Sequence, residues 1–181
     1  MFKLCWYILT QILDNIVKVI RQSTQLKQYT CSSEVINWFK QLGDKQRLKF
    51  VIFDIESFYP SITPTLLDNA LDWARNYMYV TPQQRVIIHQ DLYNEGEPWV
   101  KKGGINFDIG MGAFHGAQAC EIVGLYLLNL LQTLPDFQAI LYRDDALGVT
   151  KLTPRLQEKL KQRIIQTFKD QGGLAIKRVN F

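Results

Sequence analysis

The chain has 181 residues, of which 47% are hydrophobic and 21% charged, proportions that fit neither a disordered tail nor a membrane protein and allow one domain with an ordinary core. Lysine and arginine number 21 against 17 acids, a net charge of +4, which permits a nucleic-acid partner without requiring one. Cys5, Cys31 and Cys120 are widely spaced, and only two histidines accompany them, so neither a disulfide framework nor a structural zinc site is expected and a reducing compartment fits.

The N-terminus opens on an apolar run, Phe2 to Leu9, that begins like a signal peptide. Gln11 and Asp14 end it too early, and no small-residue cleavage site follows. With no stretch of roughly 20 apolar residues elsewhere, the expectation is an intracellular, soluble protein with no membrane partner. Leu9, Ile12, Leu13, Ile16, Val17 and Ile20 recur at helical spacing, predicting one amphipathic helix over the first 28 residues. A shorter helix is expected from about Ser33 to Leu42. The apolar run Lys49-Phe50-Val51-Ile52-Phe53-Asp54-Ile55 then reads as a buried strand carrying an acid at its end.

Thr63-Pro64, Thr81-Pro82 and Thr153-Pro154 each announce a helix, with threonine as the N-cap and proline at the first helical position. Gln84 completes a capping box with Thr81. Pro98 to Phe107 reads as a hairpin turning at Gly103-Gly104, and Ala117 to Leu131 as a buried helix. Phe137 to Val149 gives two short strands around a charged turn. The helix from Pro154 stops near Gly172-Gly173, and Leu174 to Val179 begins a last strand. The layout is α+β with mixed or antiparallel strands.

Two features carry chemistry. Asp54 ends an apolar strand, where a charge is expensive unless compensated. Asp144 and Asp145 are adjacent acids at a hairpin tip, whose repulsion a hard cation such as Mg²⁺ would relieve. If the two strands pair side by side, three carboxylates meet at one sheet end, a set able to hold two ions for phosphoryl transfer. Asp-Asp is also ordinary turn chemistry, and a lone Asp54 is equally a strand-end residue entering a loop.

The surroundings add a resemblance. Phe53-Asp54-Ile55-Glu56-Ser57-Phe58-Tyr59 and Tyr142-Arg143-Asp144-Asp145 resemble two active-site motifs of reverse transcriptases, an aspartate five positions before an aromatic residue and the Tyr-x-Asp-Asp hairpin. The resemblance covers about Lys49 to Phe181 and is nearest to retroelement enzymes of the retrotransposon and intron-related type. It implies a polymerase palm-type antiparallel sheet packed on helices, with residues 49–181 as the palm and 1–48 as a helical N-terminal segment. It also implies that Asp54, Asp144 and Asp145 are catalytic and bind two Mg²⁺ ions, Mn²⁺ being a substitute, with the Ile55 carbonyl beside them. Tyr59 would lie under the sugar of an incoming dNTP and exclude a 2′-hydroxyl. The middle motif departs from the family: Gly110 to Glu121 stands where Pro-Gln-Gly and Ser-Pro are usual. There Gly112 and Gly116 would allow close backbone approach and Gln118 would contact the nucleotide, while His115, Cys120 and Glu121 receive no catalytic role.

The implied function is RNA-directed DNA polymerisation on an RNA or DNA template with a primer. The basic fingers segment of the family is largely missing and its thumb absent, so the chain is expected to be a piece of a retroelement polyprotein or a decayed copy. The alternatives are an inactive truncated palm that only binds nucleic acid or another subunit, and a different two-metal enzyme such as a nuclease, which needs no sugar gate. From Lys151 onward eight basic residues face only Glu158 and Asp170, a basic flank beside the carboxylates.

Overall fold

The computed structural model describes residues 2–26, 28–93 and 115–181. The expected Pro98–Phe107 hairpin and Gly112 lie outside the described residues. The chain forms two compact units, Met1–Gln25 with Ser57–Tyr126, and Leu26–Glu56 with Leu127–Phe181. The units interleave along the chain, whereas the division expected after residue 48 is sequential. Among the described residues no helix is long and apolar enough to cross a membrane.

The first unit is helical. Helix α1 (Phe2–Ser23) buries Leu9, Leu13, Ile16, Val17 and Ile20 along one stripe. It ends at Ser23, short of residue 28, and Thr24 closes its last turn with amide and hydroxyl bonds of 2.9 and 2.8 Å to the Ile20 carbonyl. Each Thr-Pro pair starts a helix, and of the three threonines Thr153 makes no side-chain cap bond. The Thr63 hydroxyl accepts from Leu66 N–H at 3.1 Å and starts its helix at Pro64. Thr81 and Gln84 exchange bonds of 2.9 and 3.1 Å as a capping box.

The second unit is a sheet with helices. Its strands are β1 (Lys49–Ile55), β2 (Phe137–Tyr142), β3 (Asp145–Thr150) and β4 (Ile176–Asn180). They lie in the order β2-β3-β1-β4 with every neighbour antiparallel. Helix α2 (Ser32–Gln41) lays Phe39 against Phe50 of β1, with ring centroids 5.5 Å apart. Between the two carboxylate-bearing segments of the chain come α3 (Phe58–Ser61), α4 (Pro64–Ala74), α5 (Pro82–Tyr93) and α6 (Gly116–Gln132). The short α3 enters through Ser57 at a φ of 48°.

Strand alternation divides β1. Val51, Phe53 and Ile55 are buried, while Phe50 and Ile52 are exposed and Asp54 is half-exposed on the other face. Helix α7 (Pro154–Gly172) buries Leu160, Ile164 and Phe168, and Phe168 meets the Phe53 ring edge-on at 5.6 Å and 85°. The helix stops at Gly173, which takes a φ of 63°. Leu174 still bonds the Phe168 carbonyl at 3.1 Å, so β4 begins at Ile176 rather than at Leu174. Gly148 in β3 is required by packing: a Cβ there would lie 2.3 Å from Cε2 of Phe137.

Candidate active site

Register brings the acids together. Asp54 of β1 stands directly opposite Asp145 of β3, and Ile55 N–H donates to the Asp144 carbonyl at 3.0 Å. That bond pattern makes Asp54 and Asp145 a non-hydrogen-bonded pair, the cross-strand position in which side chains approach most closely. Like charges placed so repel. The Asp145 carboxyl is accordingly raised above the ordinary aspartate range, first by partial burial and then by the charges of Asp144 and Asp54. Asp144 and Asp54 thus both act on Asp145 at one end of the sheet.

The hairpin that presents them is strained. Arg143, the first central turn residue, has a φ of 56°, uncommon for a residue with a side chain. Its guanidinium lies 5.8 Å from the ring centroid of Tyr142. Tyr142 is itself paired across the sheet with Asp145, and Arg178 of β4 is paired with Asp54. One row across all four strands therefore reads Tyr142, Asp145, Asp54, Arg178 on a single face. The register slips between Asp54 and Ile55 where β4 carries an extra residue, a bulge that sharpens the local twist beside the acids. Arg178 was not foreseen, because no local pattern tells which strand adjoins β1.

The other expected residues belong to the helical unit, apart from Ile55, whose backbone stands beside the acids as described. Tyr59 lies in α3, half-exposed, its ring 6.0 Å from that of Phe58. Gly116 opens α6 and is buried, and Gln118 is half-exposed on the first turn of that helix. His115 is buried against α1, where its Nδ1 lies 3.2 Å from the Thr10 hydroxyl, and its carbonyl accepts the first bond of α6 from Ala119 at 3.2 Å. Glu121 pairs with Arg21, and Cys120 is a buried free thiol. A polar clamp also went unforeseen: Arg85 of α5 reaches Asp68 at 3.1 Å and Asp72 at 2.5 Å, and His89 Nε2 lies 3.0 Å from Asp68.

The donor set suits a hard divalent ion, since it is made of carboxylate oxygens whose mutual repulsion a cation would relieve. The side chains are not drawn into a closed ligand set: among the described residues no group of three or more His, Cys, Asp or Glu is disposed to hold a metal ion.

No protein-family model matches the chain, and no curated protein matches it. Solved structures do. A Candida tropicalis apo telomerase truncated of its C-terminal domain is 14% identical with a TM-score of 0.67, over 94% of this chain and 39% of that one. The apo telomerase of Candida tropicalis is 13% identical with a TM-score of 0.68, over 95% and 35%. Candida albicans telomerase, in complex with a fragment of telomeric RNA, is 14% identical with a TM-score of 0.68, over 97% and 34%. The chain thus spans little more than a third of the length of these telomerases. At this identity the likeness shows the fold alone, an α+β arrangement with a four-stranded antiparallel sheet packed on helices that is shared with part of these telomerases.

Proposed function

We propose that the chain is the palm of an RNA-directed DNA polymerase of a retroelement, which adds dNTPs to a primer 3′ end on an RNA or DNA template. The observation that carries this reading is the Asp54–Asp145 cross-strand pair with Asp144 bonded alongside through its backbone. In this reading Asp54, Asp144 and Asp145 hold two Mg²⁺ ions, with Mn²⁺ as a substitute. Bound there, the ions supply charge stabilisation for the attacking and leaving oxygens of an in-line displacement. The chain's own part is positional: β1 and the β2–β3 hairpin fix the carboxylates to rigid strands, and Tyr142 presents an exposed ring in the same row. In this reading Tyr59 excludes a 2′-hydroxyl, and Gly116 and Gln118 serve the nucleotide.

Primer extension on an RNA template with dNTPs and Mg²⁺ tests the proposal, comparing wild type with Asp144→Asn. Extension that disappears in the variant supports the palm assignment, and extension that survives it refutes the assignment. A second reading, a palm that binds nucleic acid or another subunit without chemistry, is favoured by the carboxylates not being drawn into a closed ligand set. It predicts salt-sensitive binding to a primer–template duplex, no extension, and no effect of Asp54→Asn on that binding.

A further inference from the structure

The polymerase reading leaves one charged surface without a task. Helix α7 sets Arg155, Lys159 and Arg163 at consecutive i, i+4 positions, all exposed. None of the three makes an ion pair among the described residues. Like charges at that spacing weaken a helix, and a helix kept only for its core-facing side would gain from acids between them. Glu158 is on the same helix, yet it pairs with none of them. The three heads form a ridge about 12 Å long at the helical rise.

The ridge is separate from the carboxylates. Helix α7 packs through Phe168 onto Phe53, on the face of β1 opposite to the one that carries Asp54. The exposed side of α7 therefore points away from the Tyr142-Asp145-Asp54-Arg178 row, with the sheet between them.

We propose that this ridge is a second nucleic-acid contact, which grips the phosphate backbone of a strand outside the polymerase site. Three cations repeating every 5–6 Å or so along one helix flank suit successive phosphates of one chain. The contact is sequence-independent and common to RNA and single-stranded DNA. It does not depend on the carboxylates.

The test uses the whole 181-residue chain and a labelled 20-nucleotide single-stranded RNA, with binding followed by anisotropy between 50 and 200 mM KCl. Three phosphate contacts at about 0.7 each contribute about 2 to the slope of log K against log salt, or roughly a 20-fold loss of affinity over that range. The triple variant Arg155→Gln/Lys159→Gln/Arg163→Gln is expected to lower the slope by about 2, with the same change on single-stranded DNA. The control Lys18→Gln/Lys40→Gln/Arg47→Gln removes the same net charge from other exposed positions and is expected to lower it by less than half as much. An unchanged slope in the triple variant overturns the proposal. So does an equal loss in the control, which reduces the effect to net charge. Tighter binding to phosphatidylserine vesicles than to RNA, lost in the triple variant, also overturns it, because the ridge would then serve a lipid surface.

Discussion

Replacing Asp145 with asparagine removes the carboxylate that faces Asp54 across β1 and β3 and adjoins Asp144. In a non-hydrogen-bonded pair the Cβ atoms are about 4.5–5.5 Å apart. Two unit charges about 5.5 Å apart repel by roughly 0.75 kcal/mol at the dielectric of water, and by about 3 kcal/mol at an effective value near 20. Asp145 is exposed and Asp54 half-exposed, so the lower limit governs, and it agrees with the ~0.2–1 kcal/mol range of such cross-strand pairs. With a smaller share from Asp144, Asp145→Asn should stabilise the chain by about 1 kcal/mol in chelator, or roughly 2–4 °C in Tm for a protein of this size. Thermal unfolding followed by circular dichroism in EDTA measures this, and raising the salt should shrink the gain. In 10 mM Mg²⁺ the order should reverse. An ion bound to the wild type with a Kd on the order of 1 mM would add about 1.4 kcal/mol, which the variant forgoes. A variant less stable than wild type in EDTA would refute the reasoning, since the acids would then be held by attraction rather than opposed by repulsion. Equal Mg²⁺ stabilisation of both proteins would refute the role of Asp145 in holding an ion.

Two other substitutions probe the frame around the site. Gly148→Ala would put a Cβ 2.3 Å from the Phe137 ring and should cost about 1–3 kcal/mol by overpacking, with part of the loss recovered when Phe137→Leu is added; additive losses in denaturant melts would contradict the contact. Glu121 is raised above the usual glutamate range, because burial outweighs the attraction of Arg21 and Asp14 adds repulsion. An acid with a raised folded pKa stabilises the fold below its unfolded value, near 4.3, and loses that contribution as pH rises through the folded value. Glu121→Gln should therefore match wild type near pH 4 and exceed it at pH 7, and a variant that is less stable at pH 7 would reverse the assigned sign.

Much of this protein is legible in its local sequence. β1 falls on Lys49–Ile55, the hairpin turns at Arg143-Asp144, and Thr63, Thr81 and Thr153 precede their helices, because strand runs, turn residues and caps are local properties of a few neighbouring residues. Local signals also misled at their margins. The first helix stops at Ser23, short of residue 28, and β4 is delayed because Leu174 is still engaged with Phe168. The pairing of Asp54 with Asp145, the place of Arg178 beside Asp54 and the bulge next to it were decided only by tertiary structure. Strand order β2-β3-β1-β4 joins segments some 90 residues apart, and register is set by which faces are buried together. The same holds for the clamp of Arg85 and His89 on Asp68, which ties two helices through side chains that no sequence period links. The sequence alone determined which carboxylates exist and on which elements they stand; the fold decided that they face one another, since a cross-strand contact depends on a neighbour the local chain does not contain.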